Sequence, residues 1–266
     1  PNPSRAGNIT LRGEHITVGN GAILNAKATT TTASGTISIQ ANGNLSFMGI
    51  GDDDAEDGGF LGFANVDYID VNVNIGHAEI LGGEVDISAT ADGAHYFRAS
   101  DYADGTADSF WRGSVAEGIL GFLESLSAIA AVSVTTAKAN VNLGTDPSSP
   151  TRINAIDVEV LSDASASANA SPLLAVVAGV AVGISNTESN VNLKNVNIEA
   201  TKDVTIRAKS QPTVDVMADA GGIYVGFGIA VSNINSSTSA HIHNKAQMDV
   251  GGNLYVQAQT TDKNRT

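Results

Sequence analysis

The chain has 266 residues, with 28 acidic against 14 basic side chains and a formal net charge of -14, a balance that works against electrostatic binding of nucleic acid or of anionic lipid headgroups. It contains no cysteine, which excludes a disulfide framework, a thiolate metal site and a thiolate nucleophile. Hydrophobic residues make up 42% of the chain but aromatics only 5%, so small side chains carry most of it, the composition of thin, regular β-structure.

The sequence opens on PNPSRAGN, without an initiator Met or an apolar leader segment, and closes on the polar TTDKNRT; it reads as a piece of a longer chain or a processed product. Residues 7–49 hold short alternating stretches, NITLRG, HITVGN, AILNAKA, TISIQA and NLSFMG, bounded by Gly and Asn. Period-two alternation at this spacing predicts strands in the rhythm of β-helix coils with three strands each. The acidic stretch GDDDAEDGG follows, and Asp52, Asp53, Asp54, Glu56 and Asp57 gather the oxygen ligands that calcium takes. Its spacing is not that of an EF-hand loop, and a solvated loop tip is the preferred reading, with calcium the alternative. Calcium is the one cofactor the residues suggest.

A first repeat copy begins at Asn72, Val73, Asn74 and Ile75. Gly93 to Gly113 then breaks the pattern and concentrates aromatics. Tyr96, Tyr102, Phe110 and Trp111 are candidate contact residues for a glycan or a partner protein, because insertions in solenoids form loops on one face and exposed aromatics supply much of the binding energy at recognition sites. Padding between the shaft and a neighbouring helix is the alternative for Phe110 and Trp111. That helix is expected over Ser114–Leu126, where Trp111, Val115, Ile119, Phe122, Leu126 and Ile129 form an amphipathic stripe.

From Ala128 onward the chain repeats at a fixed offset of 50: Asn140, Val141, Asn142 and Leu143 recur as Asn190, Val191, Asn192 and Leu193, and Ile198, Val204, Ile206 and Ala208 meet Met248, Leu254, Val256 and Ala258. The copy at Asn72 stands at an offset of 68 before Asn140, an excess of 18 that matches the insertion. In Leu174–Ile184 and Ile223–Val231, bulky residues alternate with Gly and Ala, which predicts two buried faces, the bulky one in a core and the small one against another sheet. The apolar run Pro172–Ile184 is too short for a bilayer-spanning helix. A period near 50 means stacked supersecondary units, read as two coils of about 25 residues each. The expected fold is therefore all-β: one elongated right-handed parallel β-helix over residues 1–266, preferred to a stacked-hairpin roll. It divides into a short-coil part (1–50), a part with acidic loop, aromatic insertion and short helix (51–127), and regular repeats (128–266).

The succession of an Ala/Gly/Val-rich strand, a small polar turn, NVNL, and then KDVTIRA or GNLYVQA resembles the repeats of giant bacterial filamentous adhesins, the leukotoxin-like and haemagglutinin-repeat exoproteins of Gram-negative bacteria. The likeness covers about Asn72 to Thr260. It implies a secreted β-helical shaft at the cell surface that attaches cells to one another or to a host surface, through a glycan or protein partner, without inserting into a membrane, and it supplies no catalytic residue. Parallel β-helices also host enzymes that bind or cleave polysaccharides. Asp101, Asp104, Asp108, Glu117, His77 and His95 are the acids and bases such chemistry would draw on. None falls in a catalytic motif, and the stretch His241-Ile242-His243 lacks an evident third metal ligand, so the expectation is a protein that is not an enzyme.

Overall fold

A computed structural model describes residues 7–27, 34–44, 50–51, 60–94, 97–98, 128–171, 178–218 and 227–266. The described residues form strands and the turns between them. After β1 (Ile9–Gly13), the first circuit contains β2 (His15–Val18), β3 (Ala22–Asn25) and β4 (Thr36–Asn44), and the short β5 (Ile50–Gly51) follows it. A second holds β6 (Phe60–Ile75), β7 (Ala78–Leu81), β8 (Glu84–Ala94) and β9 (Phe97–Arg98), and a third β10 (Ala128–Leu143), β11 (Thr151–Ala155) and β12 (Asp157–Ser171). The last two are β13 (Ala178–Leu193), β14 (Val196–Ala200) and β15 (Val204–Val216), then β16 (Phe227–Ile242), β17 (Gln247–Val250), β18 (Leu254–Thr260) and β19 (Lys263–Arg265).

Successive circuits stack into three sheets. Sheet A runs β1-β4-β8-β12-β15-β18, sheet B β16-β13-β10-β6-β2 and sheet C β17-β14-β11-β7-β3. Among the described strands every pairing is parallel apart from that of β5 with β6, which is the topology of a parallel β-solenoid and not of stacked hairpins. The repeats set the register as the sequence predicts: Asn140 pairs with Asn190 and with Asn72, and Ile206 with Val256.

One expectation is corrected. The repeat period is a single coil rather than two shorter ones, because β10 and β13 are each long enough that three strands use up the circuit. The offset falls to 45 in sheet C and 46 in sheet A between the third and fourth circuits. The loop that leaves β10, Gly144 to Pro150, is longer than the Lys194–Asn195 turn that leaves β13.

The assignment of faces is corrected as well. In β13, Gly179, Ala181 and Gly183 are buried while Val180, Val182 and Ile184 lie half-buried on the outside, and in β16 Ile229 and Val231 are 56% and 47% exposed. Leu193 and Val191 at the far end of β13 are fully buried, and alternation is unbroken along the whole strand, so parity carries every odd-numbered residue inward. The small face is the inner one.

This parity produces a core in two parts. Where the three sheets meet, Val71, Ile75, Ile87, Leu143, Leu193 and Ile206 fill an apolar prism. Sheets A and B continue past the short strands of sheet C and close directly on one another through Ala and Ser, with Ala131, Ala168, Ala170 and Ala181 in a second cluster. Here a one-carbon hydroxyl spans the gap to the opposite main chain. Ser162 Oγ donates to the Ala139 carbonyl at 2.7 Å, Ser185 Oγ to Ala166 at 2.9 Å and Thr135 Oγ1 to Ser167 at 3.0 Å. Each bond satisfies a buried hydroxyl that would otherwise cost about 1–3 kcal/mol. It uses the second lone pair of a carbonyl already engaged in its sheet. Close approach also explains Gly183, where a Cβ would press on Val214 and Val216 of sheet A.

Corners stack as the sheets do. Gly144 has φ of +67°, and a Cβ there would collide with the Asn195 carbonyl of the next circuit; only glycine fits both demands. In the same loop Asp146 accepts from Asn20 Nδ2 at 2.8 Å and from the Ser148 amide at 2.8 Å. The Ser148 hydroxyl and amide bonds hold its carboxyl below the ordinary aspartate value. A depressed carboxyl adds stability at and above the ordinary aspartate range, and that contribution fades as pH falls through its folded value. Acid unfolding of Asp146→Asn is expected to begin from a lower starting stability and to show a shallower loss than the parent below about pH 4; superimposable pH-stability curves would contradict this.

Candidate functional site on the outer face of sheet B

The unbroken alternation of β6, β10, β13 and β16 points one residue in two outward, and the parallel register stacks these residues into columns that run along the solenoid. Nearest sheet C the column is Asn74, Asn142, Asn192 and His241, and beside it stand Asn72, Asn140, Asn190 and Ser239. Next come Asp70, Lys138, Glu188 and Ser237, then Tyr68, Thr136, Asn186 and Asn235. Beyond these the face turns mainly apolar, with Val66, Val134, Ile184 and the exposed Asn233, then Val132, Val182 and Val231. One flat surface thus passes from amides through a charged column to aliphatic side chains.

The amides bond to one another up the stack. Asn140 Nδ2 donates to Asn72 Oδ1 at 3.1 Å, Asn190 to Asn140 at 3.0 Å, and Ser239 Oγ to Asn190 at 2.6 Å. The neighbouring ladder links Asn142 to Asn74 at 2.9 Å and Asn192 to Asn142 at 3.0 Å, and a third links Asn186 to Thr136 at 3.1 Å and Asn235 to Asn186 at 2.9 Å. Such ladders stiffen stacked in-register strands. They also leave chemistry unused: Asn142, Asn186, Asn192 and Asn235 each commit one Nδ2 hydrogen to the ladder and keep the other.

Charge within the face is nearly balanced, since Asp70, Lys138 and Glu188 sum to -1. Lys138 sits 3.4 Å from Glu188 and 5.8 Å above the Tyr68 ring. The Tyr68 phenol first, and Glu188 second, hold its ammonium above the ordinary lysine value. A shallow groove of about 200 Å³ runs between these columns, lined by Thr136, Lys138, Asn186, Glu188, Asn235 and Ser237. Amides and hydroxyls stand among the mostly apolar atoms of its walls, and Lys138 is paired with Glu188, so it offers hydrogen-bonding groups without a steering field.

Tyr96, Tyr102, Phe110 and Trp111, the acidic group Asp52, Asp53, Asp54, Glu56 and Asp57, and the helix expected over Ser114–Leu126 all lie outside the described residues, as do His95, Asp101, Asp104, Asp108 and Glu117. His77 is at a corner, with Nδ1 2.8 Å from the Pro150 carbonyl. The rings of His241 and His243 are 6.1 Å apart and exposed, and among the described residues no group of three His, Asp or Glu is placed to hold a metal ion. No described helix is long and apolar enough to cross a membrane. Comparison with protein-family models, with curated proteins and with solved structures finds no match.

The outer face of sheet B escapes a reading by motif because its members come from separate circuits, far apart along the chain. The signal is nonetheless present in NVNL, where Asn at i and i+2 recurs at the period: one parity supplies the core and the other the ladders.

Proposed function

We propose that this chain is a non-enzymatic structural and adhesive shaft module of a large secreted bacterial surface protein, which attaches cells to neighbouring cells or to a host surface. One observation carries the reading: from circuit to circuit the same residue types stack in register, Val on Val and Asn on Asn, over β10 and β13. A structure whose work is length and stiffness needs repeats that pack, with outer faces free to vary. Outer columns of sheet A show that freedom, as Asp163 gives way to Lys209 and then Gln259, and Leu161 to Arg207 and then Gln257. An enzyme of this architecture would place acids and bases at fixed positions on neighbouring rungs around a groove, whereas the groove on sheet B is lined by amides, hydroxyls and one ion pair.

The test is attachment against turnover. Beads coated with the protein are expected to adhere to bacterial or host cells above the level of uncoated beads, and neutral or acidic polysaccharides incubated with it, with or without calcium, to show no new reducing or unsaturated ends. Release of such ends, lost when Asp101, Asp104 or Asp108 is replaced by Asn, would overturn the reading.

A further inference from the structure

We propose that the outer face of sheet B is a binding plane for a neutral, extended polysaccharide laid along the stack, across the groove at Thr136, Lys138, Asn186, Glu188, Asn235 and Ser237. The inference names the partner chemistry for the attachment reading above and rests on that reading only for its biological use.

Three features of the face select this occupant. The first is charge: a chain of net charge -14 concentrates here a surface whose charges sum to -1, with Lys138 bound to Glu188. Polyanions find no basic cluster and polycations no acidic one, so an uncharged polymer is the matched ligand. The second is unused hydrogen bonding. The free Nδ2 hydrogens of Asn186 and Asn235, on consecutive rungs of one column, recur about every 4.8 Å. Asn142 and Asn192 repeat the arrangement on the far side of the charged column. A polymer of hydroxylated rings laid along the stack meets the same donor and acceptor on each rung, and weak equal contacts on a linked chain multiply. The third is the change of character across the face. Val134 and Ile184, with Val182 and Val231 behind them, border the polar columns up to the last rung, where Asn233 takes the bordering place, and Tyr68, 54% exposed, stands beside Thr136. Sugar rings have hydroxyl edges and apolar CH faces, and a surface with convergent polar groups beside apolar ones matches both. A folded protein partner would want a fully buried aromatic or Arg anchor at the centre of its footprint, and the centre here is the Lys138–Glu188 pair.

The experiment is affinity electrophoresis and titration calorimetry of the intact protein with hydroxyethylcellulose, laminarin, galactomannan and dextran, against alginate and chitosan as charged comparators. At least one neutral polymer is expected to bind, more tightly as its length grows over the first few sugars. The Asn186→Ala/Asn235→Ala variant is expected to bind about ten-fold more weakly, and Thr213→Ala on the outer face of sheet A to bind as the parent does. Circular dichroism and the melting midpoint establish that the variants are folded; should the double variant fail to fold, Asn235→Ala alone, at the exposed last rung, is expected to give a smaller loss in the same direction. Absence of binding by all four neutral polymers, binding unchanged in the folded variants, or alginate or chitosan binding as well as the best neutral polymer would overturn the proposal. Coated beads separate it from attachment. If beads carrying parent and variant adhere equally, and an excess of the neutral polymers does not compete, this inference falls and the attachment reading stands. If neither adheres but the parent binds a neutral polymer in solution, the attachment reading falls and the plane stands.

Discussion

Ile206→Asp is expected to leave no cooperative unfolding transition above room temperature. Ile206 is fully buried on β15, in register with Val160 on one side and Val256 on the other, inside the apolar prism. Removing its side chain would cost about 2–5 kcal/mol through lost packing, and a carboxyl in its place must stay ionised without a partner or take up a proton, at a further several kcal/mol. Together these approach the whole stability of an ordinary domain, about 5–15 kcal/mol. Stacking spreads the damage, since each circuit is held by its neighbours. Thr205→Asp, one residue away and facing outward, should change the melting temperature by only a few degrees at most. Differential scanning calorimetry of the pair checks the inward assignment, and equal behaviour of the two would contradict it.

Ala166→Leu is the second large effect, and it tests the close approach of sheets A and B. Ala166 is fully buried on β12 and its carbonyl accepts the Ser185 hydroxyl at 2.9 Å. A gap that one hydroxyl can span has no room for three added carbons, so the sheets must part and the bonds from Ser185 and Thr135 must stretch. Overpacking alone costs about 1–3 kcal/mol, and each buried hydroxyl left unmade adds about 1–3 kcal/mol more. Urea denaturation should show the midpoint lowered by this sum divided by the m-value. Ser165→Leu, on the outer side of the same strand, should leave it nearly unchanged. An Ala166→Leu protein as stable as the parent would mean that the two sheets stand apart here.

Much of this fold is legible in the sequence because identical residues stack on one another. The offsets of 50 and 68 read from NVNL are the registers of β10 with β13 and with β6, though β16 stands at 49 from β13, and the inward parity of Ile198, Val204 and Ile206 is that of the core. The copies at Leu254 and Val256 keep the register but are 46% and 45% exposed, since they belong to the last circuit and have a rung on one side only. Two features mislead because composition and habitual strand length speak louder than parity. Bulky Val180, Val182 and Ile184 suggest a core face, but the alternation running on to Val191 and Leu193 admits only the opposite choice. Strands as long as β10 and β13 also far exceed the common strand length, so the period divides more naturally into two coils than into one. Side-chain ladders across circuits cannot be read from any single segment. The pairing of Lys138 with Glu188, or of Asn186 with Asn235, exists only once β10, β13 and β16 are aligned.

The stacking itself is open to a direct measurement. The chain has no cysteine, so nitroxide labels can be placed in pairs without background, at Asn142→Cys with Asn192→Cys and at Asn74→Cys with His241→Cys. The first pair occupies adjacent rungs and the second is three rungs apart, which corresponds to backbone separations of about 4.8 Å and about 14 Å. Continuous-wave electron paramagnetic resonance is predicted to show strong spin exchange for the first pair and only weak dipolar broadening for the second. Sharp, non-interacting spectra from labels at 142 and 192 would contradict a solenoid in which each circuit lies in register on the one before it.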